Sequence, residues 1–268
     1  MQYDTLKSSL GRFVETRPLF RKIFYRMLDV LLLRTWHIKK ELRQLKKTLP
    51  ADAVALDAGA GFGQYTYYLS NLGRGWRIKA VDVKSEQVAD CNRFFAQTGR
   101  SERVRFETAD LTTFVEPDTY HLALSVDVME HIEDDEAVFA NICRSLQPGG
   151  ILLISTPSDL GGSDADEHHG SFIDEHVRDG YNMAAIQDKL RKAGFTHVEA
   201  AYTYGFPGHI SWLLSMKFPL RLLNISKLFI LLLPVYYLLV ILFCLLLNQW
   251  DVCAQHSSGT GLKVKAIK

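Results

Sequence analysis

The 268-residue sequence predicts an α/β fold, a doubly wound parallel sheet covered by helices. Two observations carry this expectation. From Val54 to Pro157, short apolar runs alternate with helix-compatible stretches, the βαβ signature of a parallel sheet. The first run ends in Asp57 and is followed by Gly59, Gly61 and Gly63, then by a helix-compatible segment, Tyr65 to Leu72. Glycine lets the backbone turn sharply and approach a ligand without a Cβ in the way. A strand turning through glycines into a helix N-terminus builds a nucleotide-sized site at the carboxyl edge of such a sheet.

Residues 5 to 48 read as basic amphipathic helices. In the first, Phe20, Ile23, Phe24, Met27 and Leu28 recur at helical spacing, flanked by Arg17, Arg21, Lys22 and Arg26. In the second, from Arg34 to Leu49, Trp36, Ile38, Leu42 and Leu45 stand among Lys39, Lys40, Arg43, Lys46 and Lys47. The formal net charge of +1 hides a split, because residues 1 to 50 hold twelve basic and four acidic side chains. Such a helix either covers a sheet or meets anionic headgroups, where each basic residue near the surface is worth about 1 kcal/mol. The first helix is read as a membrane-surface element and the second as a helix leading into the sheet. Nucleic acid is not expected as a partner, since no basic face with aromatic stacking positions is evident.

The glycine spacing narrows the ligand. A dinucleotide fingerprint reads G-x-G-x-x-G and brings a helix N-terminus against a pyrophosphate. Here the pattern is G-x-G-x-G, with a carboxylate two residues before the first glycine. An acid there suits a positive ammonium and would repel a pyrophosphate. Asp57-Ala58-Gly59-Ala60-Gly61-Phe62-Gly63 resembles motif I of the class I S-adenosylmethionine (SAM)-dependent methyltransferases. Four further segments are similar to that family, in its order. Ile78 to Asp82 looks like its second strand, and Val104 to Leu111 like its third strand and the loop after it. His121 to His131, ending Asp127-Val128-Met129-Glu130-His131, looks like the fourth strand and its turn. Leu146 to Gly150, followed by Ile151 to Pro157, looks like the post-helix turn and fifth strand. Glu130-His131 and Ser155-Thr156-Pro157 most resemble the ubiquinone-type O-methyltransferase and methyltransferase-11 groups.

The resemblance covers residues 50 to 205 and, at the end of the chain, 259 to 268. It implies a Rossmann-like, doubly wound seven-stranded sheet with an antiparallel last strand, and SAM as cofactor. Asp57 and the backbone at Gly59 and Gly61, in the loop completed by Gly63, would hold the methionine part. Asp82 would take the ribose hydroxyls, Asp110 and Leu111 would frame the adenine, and Ser125 and Val126 would lie near the methionine end. His131 is expected to support or cap its turn.

A long polar stretch, Ser158 to Tyr181, then leaves the carboxyl end of the fifth strand, where ligands sit in open α/β sheets. Its glycine hinge at Gly161-Gly162 fits a lid or substrate loop. His168, His169 and His176 lie in it among carboxylates. They are candidate general bases toward a substrate hydroxyl, His176 first, because imidazole titrates near neutrality. The chain has no two-histidine ligand motif on a helix, so no metal is expected. Met183 to Ala193 reads as an amphipathic helix ended by Gly194, and Thr196 to Thr203 as the sixth strand.

Leu228 to Leu247 is twenty residues without a charge, as a helix about 30 Å long, the thickness of a bilayer's hydrocarbon core. A single span is the obvious reading, but the chain's end opposes it. Gly261-Leu262-Lys263-Val264-Lys265-Ala266 alternates apolar and basic side chains as a strand does. Nothing else can supply the family's seventh strand, so both ends of the apolar stretch must lie on one side. Pro234, a helix breaker, would divide Leu220 to Leu233 from Val235 to Leu247, each about 20 Å and too short to span. Lys217, Arg221 and Lys227 before the stretch and Lys263, Lys265 and Lys268 after it give no clear positive-inside bias. The expectation is a monotopic helical hairpin, with a true span or a soluble dimerisation hairpin as alternatives.

The expected organisation is therefore basic helices at 1–48, a SAM-binding core at 49–205, an apolar insert at 206–255 and a final strand at 256–268. Cys91, Cys143, Cys244 and Cys253 form no C-x-x-C pair, which fits a reducing compartment, and the polar start shows no signal-peptide pattern. These readings predict a SAM-dependent methyltransferase on the cytoplasmic face of a membrane, docked through residues 1–33 and 206–250. Its acceptor is expected to be a membrane-resident or lipid-like small molecule, methylated on a hydroxyl, although nitrogen and carbon acceptors fit the same residues. A membrane-associated NAD(P)-dependent oxidoreductase, or a non-catalytic interaction protein with a SAM fold, are the alternatives.

Overall fold

A computed structural model describes residues 18–161 and 177–268. Its strands are β1 (Val54–Ala58), β2 (Arg77–Asp82), β3 (Val104–Thr108), β4 (Tyr120–Val126), β5 (Leu146–Pro157), β6 (His197–Thr203) and β7 (Gly261–Ile267). They form one seven-stranded sheet in the order β3-β2-β1-β4-β5-β7-β6. The first five positions run parallel, while β7 lies between β5 and β6 and antiparallel to both. The doubly wound sheet with an antiparallel last strand is present as expected. Sequence order reverses between β1 and β4, the crevice where open α/β sheets take ligands.

The central strands are apolar without a break because both faces are covered. Ala55, Leu56, Leu122, Ala123, Leu124, Leu152, Leu153 and Ile154 are all fully buried. Strand alternation sorts them onto two sides. Leu56, Ala123, Leu152 and Ile154 face α5 (Asp135–Ser145) and α6 (Met183–Lys192). Ala55, Leu122, Leu124 and Leu153 face α2 (Leu33–Leu45), α3 (Gln64–Leu72) and α4 (Ser85–Gln97), the last two following β1 and β2. The alternation in β7 does the same work: Leu262, Val264 and Ala266 enter the first core. On its other face Lys263 pairs with Glu41 of α2, and Lys265 with Glu199 of β6. One expectation changes here. Pro148-Gly149-Gly150 is absorbed into β5, whose pairing with β4 slips between Tyr120 and Leu122, with Gly149 at φ +77°.

The apolar insert is a helical hairpin. Its first arm is α7 (Phe206–Trp212), a wide turn at Leu213–Lys217 and α8 (Phe218–Ile225); its second is α9 (Leu233–Cys253). The hydroxyls of Tyr236 and Tyr237 donate to the carbonyls of Leu214 and Ser215, each at 2.7 Å. Nearer the sheet, the Gly208 N–H donates to Asp251 Oδ2 at 3.0 Å. The arms are thus antiparallel, and the chain leaves the hairpin where it entered, beside β6.

The division between the arms differs from the sequence reading. Pro234 stands in the first turn of α9, where a missing N–H removes no helical bond, so it starts the helix instead of splitting it. The second arm therefore runs 21 residues, about 31 Å, rather than 20 Å. By length and composition it could cross a membrane. It packs little of itself against the protein: Leu238, Leu239, Leu242 and Leu246 are each at least 70% exposed.

Candidate cofactor and acceptor site

From β1 the chain turns through Gly59 (φ +79°), Gly61 (φ +52°) and Gly63 (φ +81°) into α3, a run of left-handed backbone that favours glycine. The N–H groups of Gly59 and Ala60 both donate to the Val81 carbonyl at 2.9 Å, tying the loop to the end of β2. A Cβ on Gly59 would come within 2.4 Å of Val128, whereas one on Gly61 would meet nothing within 4 Å. The loop is clamped on its β4 flank and open at its middle.

Asp82, the last residue of β2, accepts the Gly61 N–H at 2.8 Å on Oδ2 and the Lys84 N–H at 2.9 Å on Oδ1. A carboxylate oxygen has a second lone pair. Asp82 can therefore brace the loop and still receive two hydroxyls of a ribose. Ser125, near the end of β4, is fully buried and its hydroxyl has no hydrogen-bond partner. A buried orphan next to the β1–β4 crevice is the kind of group a polar ligand satisfies. Val126 closes β4 and is half-buried.

Across the crevice lies a polar cluster that the sequence reading missed. Arg34, at the start of α2, pairs with Asp127, and its N–H donates to the Tyr204 hydroxyl at 2.9 Å. The hydroxyls of Thr35 and Tyr65 lie 3.3 Å apart beside it. Glu130 is buried and accepts the Thr156 hydroxyl at 3.1 Å. Asp127 (φ +52°) and Tyr204 (φ +56°) hold left-handed backbone without being glycine. Such strain concentrates at functional sites. The linear signal available was slight: both residues directly follow the ends of strands.

Residues 56–154 match the methyltransferase domain family. That segment carries a methyltransferase domain. Phosphoethanolamine N-methyltransferase of Triticum aestivum is 31% identical over 162 residues, 60% of this chain and 31% of that protein. The mitochondrial ubiquinone biosynthesis O-methyltransferase of Homo sapiens is 30% identical over 105 residues, 38% of this chain and 28% of that protein. This chain thus spans about a third of the length of the curated relatives it matches. The solved structure of Haemonchus contortus phosphoethanolamine N-methyltransferase 2, in complex with phosphomonomethylethanolamine and S-adenosylhomocysteine, superposes with a TM-score of 0.59 at 21% identity. That superposition covers 86% of this chain and 52% of the other, and the likeness is one of fold.

The glycine cradle, the acceptor-only Asp82 and the orphaned Ser125 hydroxyl of this domain fit SAM. Asp57 does not take the place expected of it. It is 3% exposed, and its carboxylate accepts from the hydroxyl and the N–H of Thr66 on α3. It is a strut beneath the loop, because its strand position turns it toward α3 rather than the crevice. Asp110 turns its carboxylate onto the N–H and hydroxyl of Thr112, at 2.9 and 2.8 Å, and those two bonds hold it below the usual carboxylate range. Leu111 points into the core and gives its carbonyl to Asn141 Nδ2 at 3.0 Å. Asp110 Oδ2 and the backbone of that turn are left to frame an adenine. The N–H of His131 closes a single turn onto the Val128 carbonyl at 3.0 Å. His168, His169 and His176 lie outside the described residues.

The first helix, α1 (Pro18–Leu31), lies over the tip of the glycine loop. Arg21 Nη2 donates to the Phe62 carbonyl at 2.6 Å, and the Tyr25 hydroxyl donates to the same oxygen. Arg21 also pairs with Asp90 and is 4% exposed. Its expected role as a headgroup contact is therefore corrected: Arg21 faces inward, while Ile23 and Met27 of the apolar stripe face out.

Two buried acids give a pH dependence. Burial, with Asp82 nearby, pushes Asp57 up to about 7. Burial, with Asp127 nearby, pushes Glu130 up to about 8. The folded state then keeps protons that the unfolded chain has shed, so stability falls as pH rises through those values. Ordinary carboxylates no longer titrate there. His37, lowered by burial, opposes the trend only toward its ordinary value of about 6.5. Ligand-free protein is expected to lose roughly 1 kcal/mol of stability per unit between about pH 6.5 and 8. Thermal melts should show a falling Tm and a flatter profile for Glu130→Gln; a rising Tm in the unaltered protein would refute it.

Proposed function

We propose that this protein transfers a methyl group from SAM to a membrane-resident or lipid-like small molecule, at a hydroxyl, on the cytoplasmic face of a membrane. The observation that supports the acceptor class is a line of hydrogen bonds from the hairpin to the rim of the site. Asp251 at the hairpin root accepts the N–H groups of Gly208, at 3.0 Å, and Tyr204, at 3.3 Å; the Tyr204 hydroxyl accepts from Arg34, which pairs with Asp127. The large apolar surface is thus rooted beside the edge an acceptor must reach. A greasy acceptor could pass from lipid to that edge without crossing water.

SAM, when bound, supplies the activated methyl group. Asp82 and the glycine loop would orient it, and the Ser125 hydroxyl would fill its missing bond on the ligand. Reaction then needs the acceptor in line and water excluded, which is mostly a matter of positioning. Burial, with Asp127 nearby, pushes the Glu130 carboxyl well above the usual carboxylate range and favours its protonated form. His176, His169 and His168 remain the proposed bases toward an acceptor hydroxyl. The wheat and human relatives, an N- and an O-methyltransferase by name, are consistent with a small-molecule acceptor.

The test is methyl-labelled SAM with a lipid extract. Label is expected in the organic phase; label confined to water-soluble products would overturn the lipid reading. Docking is checked by sedimentation with vesicles. Replacing Leu238, Leu242 and Leu246 by serine removes exposed side chains worth about 2 kcal/mol each on burial. Vesicle binding is expected to weaken at least about tenfold, with SAM affinity in solution unchanged. Undiminished sedimentation would count against the hairpin as the anchor.

A further inference from the structure

We propose that α1 is a bilayer-sensing clamp: an anionic lipid surface covering its outer face fixes its inner face on the glycine loop and tightens SAM binding. This rests on the reading of the chain as a SAM-dependent methyltransferase that docks on lipid.

A surface helix ordinarily buries its apolar side. α1 packs Phe24 and Tyr25 inward and leaves a second apolar face bare. Leu19, Ile23, Met27 and Val30 follow one face at helical spacing and are 65, 55, 48 and 41% exposed. The opposite face carries the polar anchors. Arg21 is held by Asp90, by Cys91 Sγ at 3.0 Å and by the Phe62 carbonyl at 2.6 Å, with its guanidinium 4.7 Å from the Phe94 ring centre. Tyr25 receives Arg21 Nε at 2.7 Å and donates to the same carbonyl. Asp29 accepts from Gln64, the first residue of α3, at 2.9 Å.

Those anchors end on the tip of the cofactor loop. Phe62 sits between Gly61 and Gly63, and its ring lies 5.8 Å from Phe24 and 6.1 Å from Tyr25. Whatever loosens α1 therefore loosens the loop. In water, the bare apolar stripe favours any arrangement that turns the helix over or away, because that surface gains by leaving water. Lipid removes this bias by covering the stripe where it stands. Lys22 and Arg26 flank the stripe on one side, which matches an anionic surface. Coupling of this kind is reciprocal, so bound SAM must also strengthen docking.

The hairpin anchors the protein independently, which makes the clamp separable from docking. The experiment is calorimetric titration of SAM into the full chain, alone, with phosphatidylcholine vesicles, and with vesicles half phosphatidylglycerol. Anionic vesicles are expected to tighten SAM binding at least about fivefold. An Ile23→Ser/Met27→Ser protein, relieved of that bias, should bind SAM without lipid at least as tightly as the unaltered protein and still sediment through the hairpin, yet gain nothing from anionic vesicles. Equal affinity with and without anionic vesicles, or an enhancement that survives the double substitution, overturns the clamp. So does SAM affinity that rises with protein concentration in the absence of lipid, which would mark a second copy as the cover. In each of these cases SAM still binds and the methyltransferase reading stands; only a chain that binds no SAM under any condition removes both.

Discussion

Asp82→Ala is expected to bind SAM at least about tenfold more weakly than the unaltered protein, roughly the loss of charge-assisted hydrogen bonds to the ribose. The structure adds a second loss. Asp82 also holds the Gly61 and Lys84 N–H groups, so its removal frees the glycine loop that should carry the methionine part. Asp82→Asn keeps an acceptor oxygen for one of these bonds and is expected to fall between the two. Calorimetry decides it, and unchanged affinity in Asp82→Ala would refute the site. The same titration with NAD separates the cofactors, since a pyrophosphate loop spaces its glycines G-x-G-x-x-G and this one reads G-x-G-x-G. Tighter binding of NAD than of SAM would reverse the assignment.

Asp251→Ala is expected to be the most destabilising single change at the hairpin root. The side chain is fully buried and bonds His37 Nε2 at 2.7 Å and the N–H groups of Gly208 and Tyr204, with His256 Nε2 at 3.3 Å. Truncation strands these donors without water, a loss on the order of 3–5 kcal/mol for a buried charged group. For a chain of this size that corresponds to a Tm lower by roughly 10 °C, read by thermal melting. Because Asp251 joins the hairpin to Tyr204 and through it to Arg34, turnover on a lipid acceptor should fall further than SAM affinity. A folded variant with normal stability and normal lipid turnover would show that the hairpin root does not organise the acceptor edge.

The legible and the illegible parts of the site differ in kind. Gly59, Gly61 and Asp82 were readable because a strand, a left-handed turn and a helix are local events with local residue preferences. The final strand was readable from the alternation at residues 261 to 266, which two sheet faces of different polarity require. Asp57 was identified as special but placed one layer too high, since the sequence does not say which face of β1 its side chain takes relative to Thr66. The cluster of Arg34, Asp127 and Tyr204 was not legible at all. Arg34 and Asp127 are 93 positions apart in the chain and belong to no common motif.

The sequence by itself determined the doubly wound sheet, the SAM-type glycine loop and the need for both ends of the apolar stretch to meet. Each follows from short-range periodicity or from the steric freedom of glycine. Only the tertiary structure decided which side of α1 faces inward, that Pro234 opens a long helix, and that the hairpin roots beside Arg34 and Tyr204. Those outcomes depend on partners distant in the chain: Arg21 finds Phe62 and Asp90 at separations of 41 and 69 residues, and His37 finds Asp251 at 214. A buried charge goes where its hydrogen bonds are, and that location exists only once the chain has folded.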